Sequence, residues 1–239
     1  MNKTLYIAAV LVTLLFPRYT RAQQTQPDTT TLAVGLLAHR PTTATSARLL
    51  SGTEYLDYTP GNTVGNQFFA AGTAQPGNVH YDGRYFVKMP LLYDLKLDQL
   101  ILEDTVHRVK LHLIDERVAF FVLEGQRFVR LGADPAAGLP AGFYQQLLAG
   151  RTQLLVRRSK RVAEEIVQQH LSFVYKETAR LFIKKDGQLT EVDKLKTLLD
   201  ALPDRKPELQ KFARSQKLKF SPAVREPSAV QLVSYYNSL

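Results

Sequence analysis

Residues 81–102 read YDGRYFVKMPLLYDLKLDQLIL, and the fold turns on whether their acids bend a sheet or perform chemistry. Asp82-Gly83 separates Val79-His80-Tyr81 from Arg84-Tyr85-Phe86. Asp-Gly is a preferred two-residue hairpin loop, because both central positions of a type I′ turn need positive φ. That loop sets Tyr81 opposite Arg84 and Val79 opposite Phe86. Further on, Leu91, Tyr93, Leu95 and Leu97 recur at spacing two, with Asp94, Lys96 and Asp98 on the other parity. The pattern predicts a half-buried strand whose charges face water. Asp94 and Asp98 would then lie ~13 Å apart along one straight strand. A glycosidase pair needs ~5 to 10 Å, so the acids read as turn and surface residues.

The same alternation extends in both directions. Residues 105–114 (TVHRVKLHLI) predict a strand with Val109, Leu111 and Leu113 on one face. In residues 118–131 (VAFFVLEGQRFVRL), Gly125-Gln126 fits a type II′ turn, which takes Gly first. It would place Glu124 opposite Arg127, Leu123 opposite Phe128 and Val122 opposite Val129. Both faces of this hairpin are apolar, which predicts a position near the centre of the sheet. Residues 134–142 (DPAAGLPAG) are a loop. A short helix is expected over 143–148, strands over 152–161 and 171–175, and a hairpin over 180–192 turning at Asp186-Gly187.

The tail reads as helix. Thr190 to Asp193 resembles a capping arrangement, and Val192, Leu195, Leu198, Leu199 and Leu202 recur at helical spacing. Pro203 stops that helix. A second carries Leu209, Phe212 and Ala213, and a third, capped by Ser228, carries Val233 and Tyr236. The expected class is α+β: an antiparallel meander or sandwich-like domain over 47–192, with a helical section packed on it over 193–239.

The N-terminus predicts export. Lys3 precedes the apolar run 5–16 (LYIAAVLVTLLF), which falls short of the ~20 residues that span a bilayer. Pro17 breaks it, and Ala22 offers a small residue at the cut. Residues 1–22 therefore read as a secretory signal peptide, and 23–46, rich in Thr, Gln, Ala and Pro, as a flexible lead-in. No later run is long and apolar enough for a membrane-spanning helix. Strands this short, with a charged helical tail, do not suit an outer-membrane barrel.

The chain has 31 basic and 22 acidic residues, a formal charge of +9, and no cysteine. Disulfides, zinc-thiolate sites, a cysteine nucleophile and a lipidated N-terminal cysteine are all excluded. Lys3, Arg18 and Arg21 fall within the signal, so the mature chain lies near +6. In an exported protein that charge does not imply nucleic acid; the accessible polyanions are lipid headgroups, lipopolysaccharide and acidic glycans.

Few residues point to chemistry. The histidines are His39, His80, His107, His112 and His170, with no metal-ligand spacing between them, and no nucleophile elbow, P-loop or zinc motif is present. No catalytic, metal or cofactor residues are expected. Arg157, Arg158, Lys160 and Arg161, with Lys184 and Lys185 on a neighbouring hairpin, form the candidate anion-binding group; solvated strand edges are the competing account. Tyr55, Tyr58, Tyr81, Tyr85 and Tyr93 fit sheet packing better than sugar stacking.

The stretches YDGRYF (81–86), PLLYDL (90–95), DQL (98–100), RFVRL (127–131), GFYQQLLAGRTQLLVRR (142–158) and SYYNSL (234–239) together resemble a family of uncharacterised exported proteins of Gram-negative, Bacteroidetes-type bacteria. The resemblance implies a cell-envelope location, in the periplasm or at the surface, and brings no catalytic residues. The leading expectation is a non-enzymatic binding or structural module for an envelope protein, glycan or anionic surface. The alternatives are an exported hydrolase with a dispersed site, and a protein that docks on lipid or lipopolysaccharide.

Overall fold

A computed structural model describes residue 49 and residues 51–135, 139–167 and 169–239. The expected signal peptide, 1–22, and lead-in, 23–46, lie outside the described residues. The strands are β1 Thr53–Glu54, β2 Thr63–Val64, β3 Gln75–Tyr81, β4 Arg84–Asp94, β5 Gln99–Asp104, β6 Val109–His112, β7 Val118–Leu123, β8 Gln126–Leu131, β9 Gly142–Leu148, β10 Gln153–Val167, β11 His170–Lys185 and β12 Gln188–Val192. The helices are α1 Leu195–Ala201, α2 Lys206–Ser215 and α3 Arg225–Ser238.

The strands form one sheet in the order β1-β6-β5-β4-β3-β7-β8-β9-β10-β11-β12, and β2 joins β11. Every pairing is antiparallel except β2 with β11. The chain is thus α+β, an antiparallel meander with a helical C-terminal section. From β3 onward one connection departs from the meander: after β6 the chain returns through a 3-10 turn, Asp115–Arg117, so that β7 lies beside β3.

The turns follow backbone chemistry. Asp82 (φ 50°) and Gly83 (φ 74°) join β3 to β4, with Tyr81 opposite Arg84 and Val79 opposite Phe86 as expected. Asp186 and Gly187 do the same between β11 and β12. The β7–β8 loop is a correction. Its central residues are Glu124 (φ 51°) and Gly125 (φ 70°), so Leu123 faces Gln126 and Phe121 faces Phe128. The pairing moves by two residues, which keeps each side chain on its expected face. The left-handed conformation of Glu124 costs something. It is offset by stacking Phe121 on Phe128 at 4.7 Å.

A single cross-strand row describes the core. Phe86, Val79, Phe121, Phe128, Gln145, Val156, Leu181 and Val192 face one another in succession across eight strands. All are buried, and Gln145 is the one polar member. On one side of it lies the core of β3–β9, with Tyr93, Phe121, Phe128 and Phe143 packed ring on ring. On the other, Leu154, Val156, Leu181 and Ile183 lie beneath Leu198, Leu209, Leu232 and Tyr236 of the helices. The opposite face of the sheet carries two smaller clusters, around Leu92 and Ile101 and around Tyr144 and Phe182. Gly77 permits close strand contact at the β3 bulge: a Cβ there would sit 2.7 Å from the Val122 carbonyl.

Several local expectations are corrected. Residues 91–98 are not one alternating strand. β4 ends at Asp94, Leu92 to Leu95 are all buried, and residues 95–98 turn into β5. Residues 105–108 turn rather than extend, because Asp104 Oδ1 accepts the N–H groups of Val106 and His107. The segment expected to be a helix over 143–148 is β9, since β8 and β10 pair with its two edges. Two short strands expected over 152–161 and 171–175 are one long hairpin, β10–β11. Thr190 belongs to β12, and α1 opens instead with Thr197 Oγ1 accepting the N–H groups of Asp193 and Lys194. Ser228 is buried within α3, and Pro227 occupies its first turn, where no N–H is needed.

Candidate functional site

The acids of the opening stretch hold structure together. Asp94 is fully buried. Its Oδ2 accepts the hydroxyls of Tyr55 at 2.8 Å and Tyr58 at 2.7 Å. Its Oδ1 accepts the N–H groups of Lys96 at 2.8 Å and Leu97 at 2.9 Å. The four bonds engage both carboxylate oxygens, and Asp94 does not face water as the alternation predicts. Burial raises the pKa of both phenols well above the usual tyrosine range, and the bond to Asp94 raises them further; they stay neutral donors. Asp98 accepts the Tyr93 hydroxyl at 2.6 Å and lies 3.3 Å from the Arg157 guanidinium. Its carboxyl is pushed up by burial, against the opposing pull of Tyr93 and Arg157. Gly142 makes room for it, because a Cβ there would overlap Asp98 Oδ2. Asp82 sits in an exposed turn.

The described histidines do not assemble with a nucleophile. His107 contacts Asp104 at 2.6 Å and His112 contacts Asp115 at 3.0 Å. His80 stacks on Phe120, His170 opens β11, and His39 lies outside the described residues. Among the described residues no hydrogen bond joins a serine or threonine to a histidine, and no three His, Asp or Glu side chains are grouped to hold a metal.

The basic run divides between the two faces of β10. Arg157 reaches Asp98 and the Pro140 carbonyl, with its guanidinium over the Tyr144 ring. Arg158, on the other face, donates to Gln145 Oε1 at 2.5 Å and to both oxygens of Glu226, and lies 3.5 Å from Glu177. It thereby satisfies the buried Gln145 and ties α3 to the sheet. Lys160 Nζ donates to the carbonyls of Asn66 and Phe68, and burial lowers its pKa. Lys185 pairs with Asp204 at 2.7 Å, and this bond raises its pKa. Arg161 and Lys184 make no ion pair among the described residues. Lys184 faces Gln153, four residues from Arg157 along the ladder, a separation of ~13 Å. The structure therefore fastens Arg157, Arg158 and Lys160 along the first half of β10, and does not gather all six on one face.

Beyond that clamped half the hairpin continues to Val167 and His170. Its outer rims differ. In an antiparallel pair, alternate residues point both backbone groups away from the partner strand. On β11 those are the odd residues: Phe173 N–H donates to the Asn62 carbonyl, and the Leu171 carbonyl accepts Asn62 Nδ2. β2 thus covers that rim. On β10 they are the even residues, as Lys160 N–H donating outward to the Leu95 carbonyl shows. Past Lys160, Val162, Glu164 and Ile166 direct N–H and C=O groups outward, and no strand pairs with them among the described residues. Ile166 is 79% exposed and Leu171, directly across from it, 57%. An open edge ending in an apolar tip is a template for strand addition.

A groove of about 520 Å³ lies between β11–β12 and α1. Three of its four charged lining residues are engaged internally, Lys185 with Asp204, Glu191 with Arg180 and Asp200 with Lys206, and the fourth, Asp186, sits in the β11–β12 turn.

Sequence reasoning missed the β10 edge because it divided the hairpin into short pieces. The cue was the absence of any glycine or proline from residue 151 to 186. Comparison of the chain with protein-family models, with curated proteins and with solved structures finds no match.

Proposed function

We propose that this chain is an exported, non-enzymatic module of the cell envelope that associates with a polypeptide by adding an extended strand to the β10 edge. The observation that carries the reading is the outward backbone of Val162, Glu164 and Ile166, unpaired among the described residues, beside an apolar tip. In strand addition the main-chain bonds supply affinity and the neighbouring side chains supply selectivity. Support for the non-enzymatic part comes from the carboxylates: Asp94 and Asp98 are engaged by tyrosines, backbone and arginine. Support for export comes from residues 1–22, a charged start, a short apolar run and a small residue at the cut.

The test uses the full chain, expressed in a Gram-negative host, with a photo-crosslinking residue at Glu164 or, as control, at exposed Gln210 on α2. The expected result is a polypeptide adduct from position 164 that is lost on adding Val162→Pro. That proline removes an outward N–H and leaves the β10–β11 ladder whole. Equal yields at the two positions, or adducts indifferent to the proline, would overturn the reading. Mass spectrometry of the exported protein is expected to give Gln23 as the first residue.

A further inference from the structure

We infer that the strand which pairs with the β10 edge is the β10 of a second copy of this chain. The inference rests on the edge being a protein-docking site and names its occupant.

Residues 157–167 read RRSKRVAEEIV: basic first, acidic second. An antiparallel copy of such a strand sets the acidic half of one against the basic half of the other. The backbone then selects a register. A two-fold axis perpendicular to the sheet pairs residues of the same parity, and bonds form between residues whose groups point outward. Centring the axis on Ala163 pairs Val162 with Glu164 of the copy, and Glu164 with Val162. Both are even, outward-facing residues, unpaired among the described residues, so four main-chain hydrogen bonds form. The same register sets Arg161 opposite Glu165 twice, at non-hydrogen-bonded positions where Cα atoms approach to ~4.5 Å.

Neighbouring registers are poorer. Moving the centre to Glu164 places that carboxylate against itself, and like charges directly opposite are unfavourable. Moving it to Val162 requires the backbone of Lys160, which is already bonded to Leu95. Within one chain Arg161 lies across from Lys176, a like charge, while Lys176 pairs with Glu165 at 3.0 Å. A second Arg161 therefore completes an alternating cluster of charges rather than breaking one. The small Ala163 stands where the two copies cross. The pairing ends where Ile166 reaches the level of Lys160, beside the β4–β5 turn and its exposed Leu97.

The experiment is sedimentation of the mature chain, with charge exchange. The wild type is expected to dimerise reversibly. R161E and E165R are each expected to weaken the dimer about tenfold, as attractive cross-strand pairs become repulsive, and the double variant R161E/E165R to restore it. The chain has no cysteine of its own, so Ala163→Cys is a clean probe. Across the two-fold axis its sulfurs come within disulfide range, and mild oxidation is expected to link it as a dimer, whereas Ser159→Cys on the same face is not expected to link. A monomeric wild type with unlinked Ala163→Cys overturns the inference, as does a dimer that the double exchange fails to restore. If position 164 still crosslinks to a different polypeptide, or to a segment of its own chain, the edge remains a docking site and only the identity of the occupant is overturned. If position 164 captures nothing, both readings fall.

Discussion

The Arg157 guanidinium lies 3.3 Å from the Asp98 carboxylate, joining the basic run of β10 to the acidic turn between β4 and β5 across 59 residues. Two stretches that suggest chemistry when taken separately are thereby parts of one fastening. Arg157, Arg158 and Lys160 grip the first half of β10, and the segment past Arg161 projects with one rim open.

The buried Asp94 makes a strong stability prediction. Asp94→Ala strands two tyrosine hydroxyls and two backbone N–H groups, and is expected to cost roughly 3 kcal/mol or more. Tyr58→Phe removes a single bond and is expected to cost about 1 kcal/mol. Denaturant midpoints compare the two. Equal losses would mean that the carboxylate is not the hub.

Asp98 predicts a pH dependence with a definite sign. Its folded pKa is raised by burial, so the native state holds the proton more tightly than the unfolded chain. Its stabilising contribution is full below the unfolded pKa and is lost as pH rises through the folded value. Unfolding measured from about pH 3 to about pH 7 should show wild type losing stability relative to Asp98→Asn through the upward-shifted carboxylate range. A relative gain would mean that Arg157, rather than burial, dominates.

The basic run should separate into fasteners and a free residue. Arg158→Gln leaves Glu226 and Gln145 short of partners and is expected to cost roughly 1 to 3 kcal/mol. Arg157→Gln and Lys160→Gln should also lower the melting temperature. Arg161→Gln should leave it unchanged when the melt is recorded on protein dilute enough to be monomeric. If all four behaved alike in thermal melts, the run would be a solvated face and not a clamp.

The hairpin tip should tolerate polarity. Ile166→Ser with Leu171→Ser is expected to alter unfolding by no more than about 0.5 kcal/mol, while reducing association through the edge. Phe182→Ala, in the buried part of the same hairpin, is expected to cost about 3 to 5 kcal/mol. A large loss at the tip would show that it is covered in the folded chain.

The sequence by itself determined the class of fold, the two Asp-Gly hairpins, the central place of the β7–β8 pair and the three helices of the tail. These rest on short-range physics: positive φ at paired turn residues, period-two and period-3.6 burial, and proline stops. Tertiary structure alone decided the rest. Residues 143–148 became a strand because neighbours claimed both edges. Asp94 was buried because two tyrosines nearly forty residues earlier in the chain satisfied it, and no local alternation can announce a distant donor. The open rim of β10 likewise depends on which strands stop short of it, a property of the whole sheet and of no single segment.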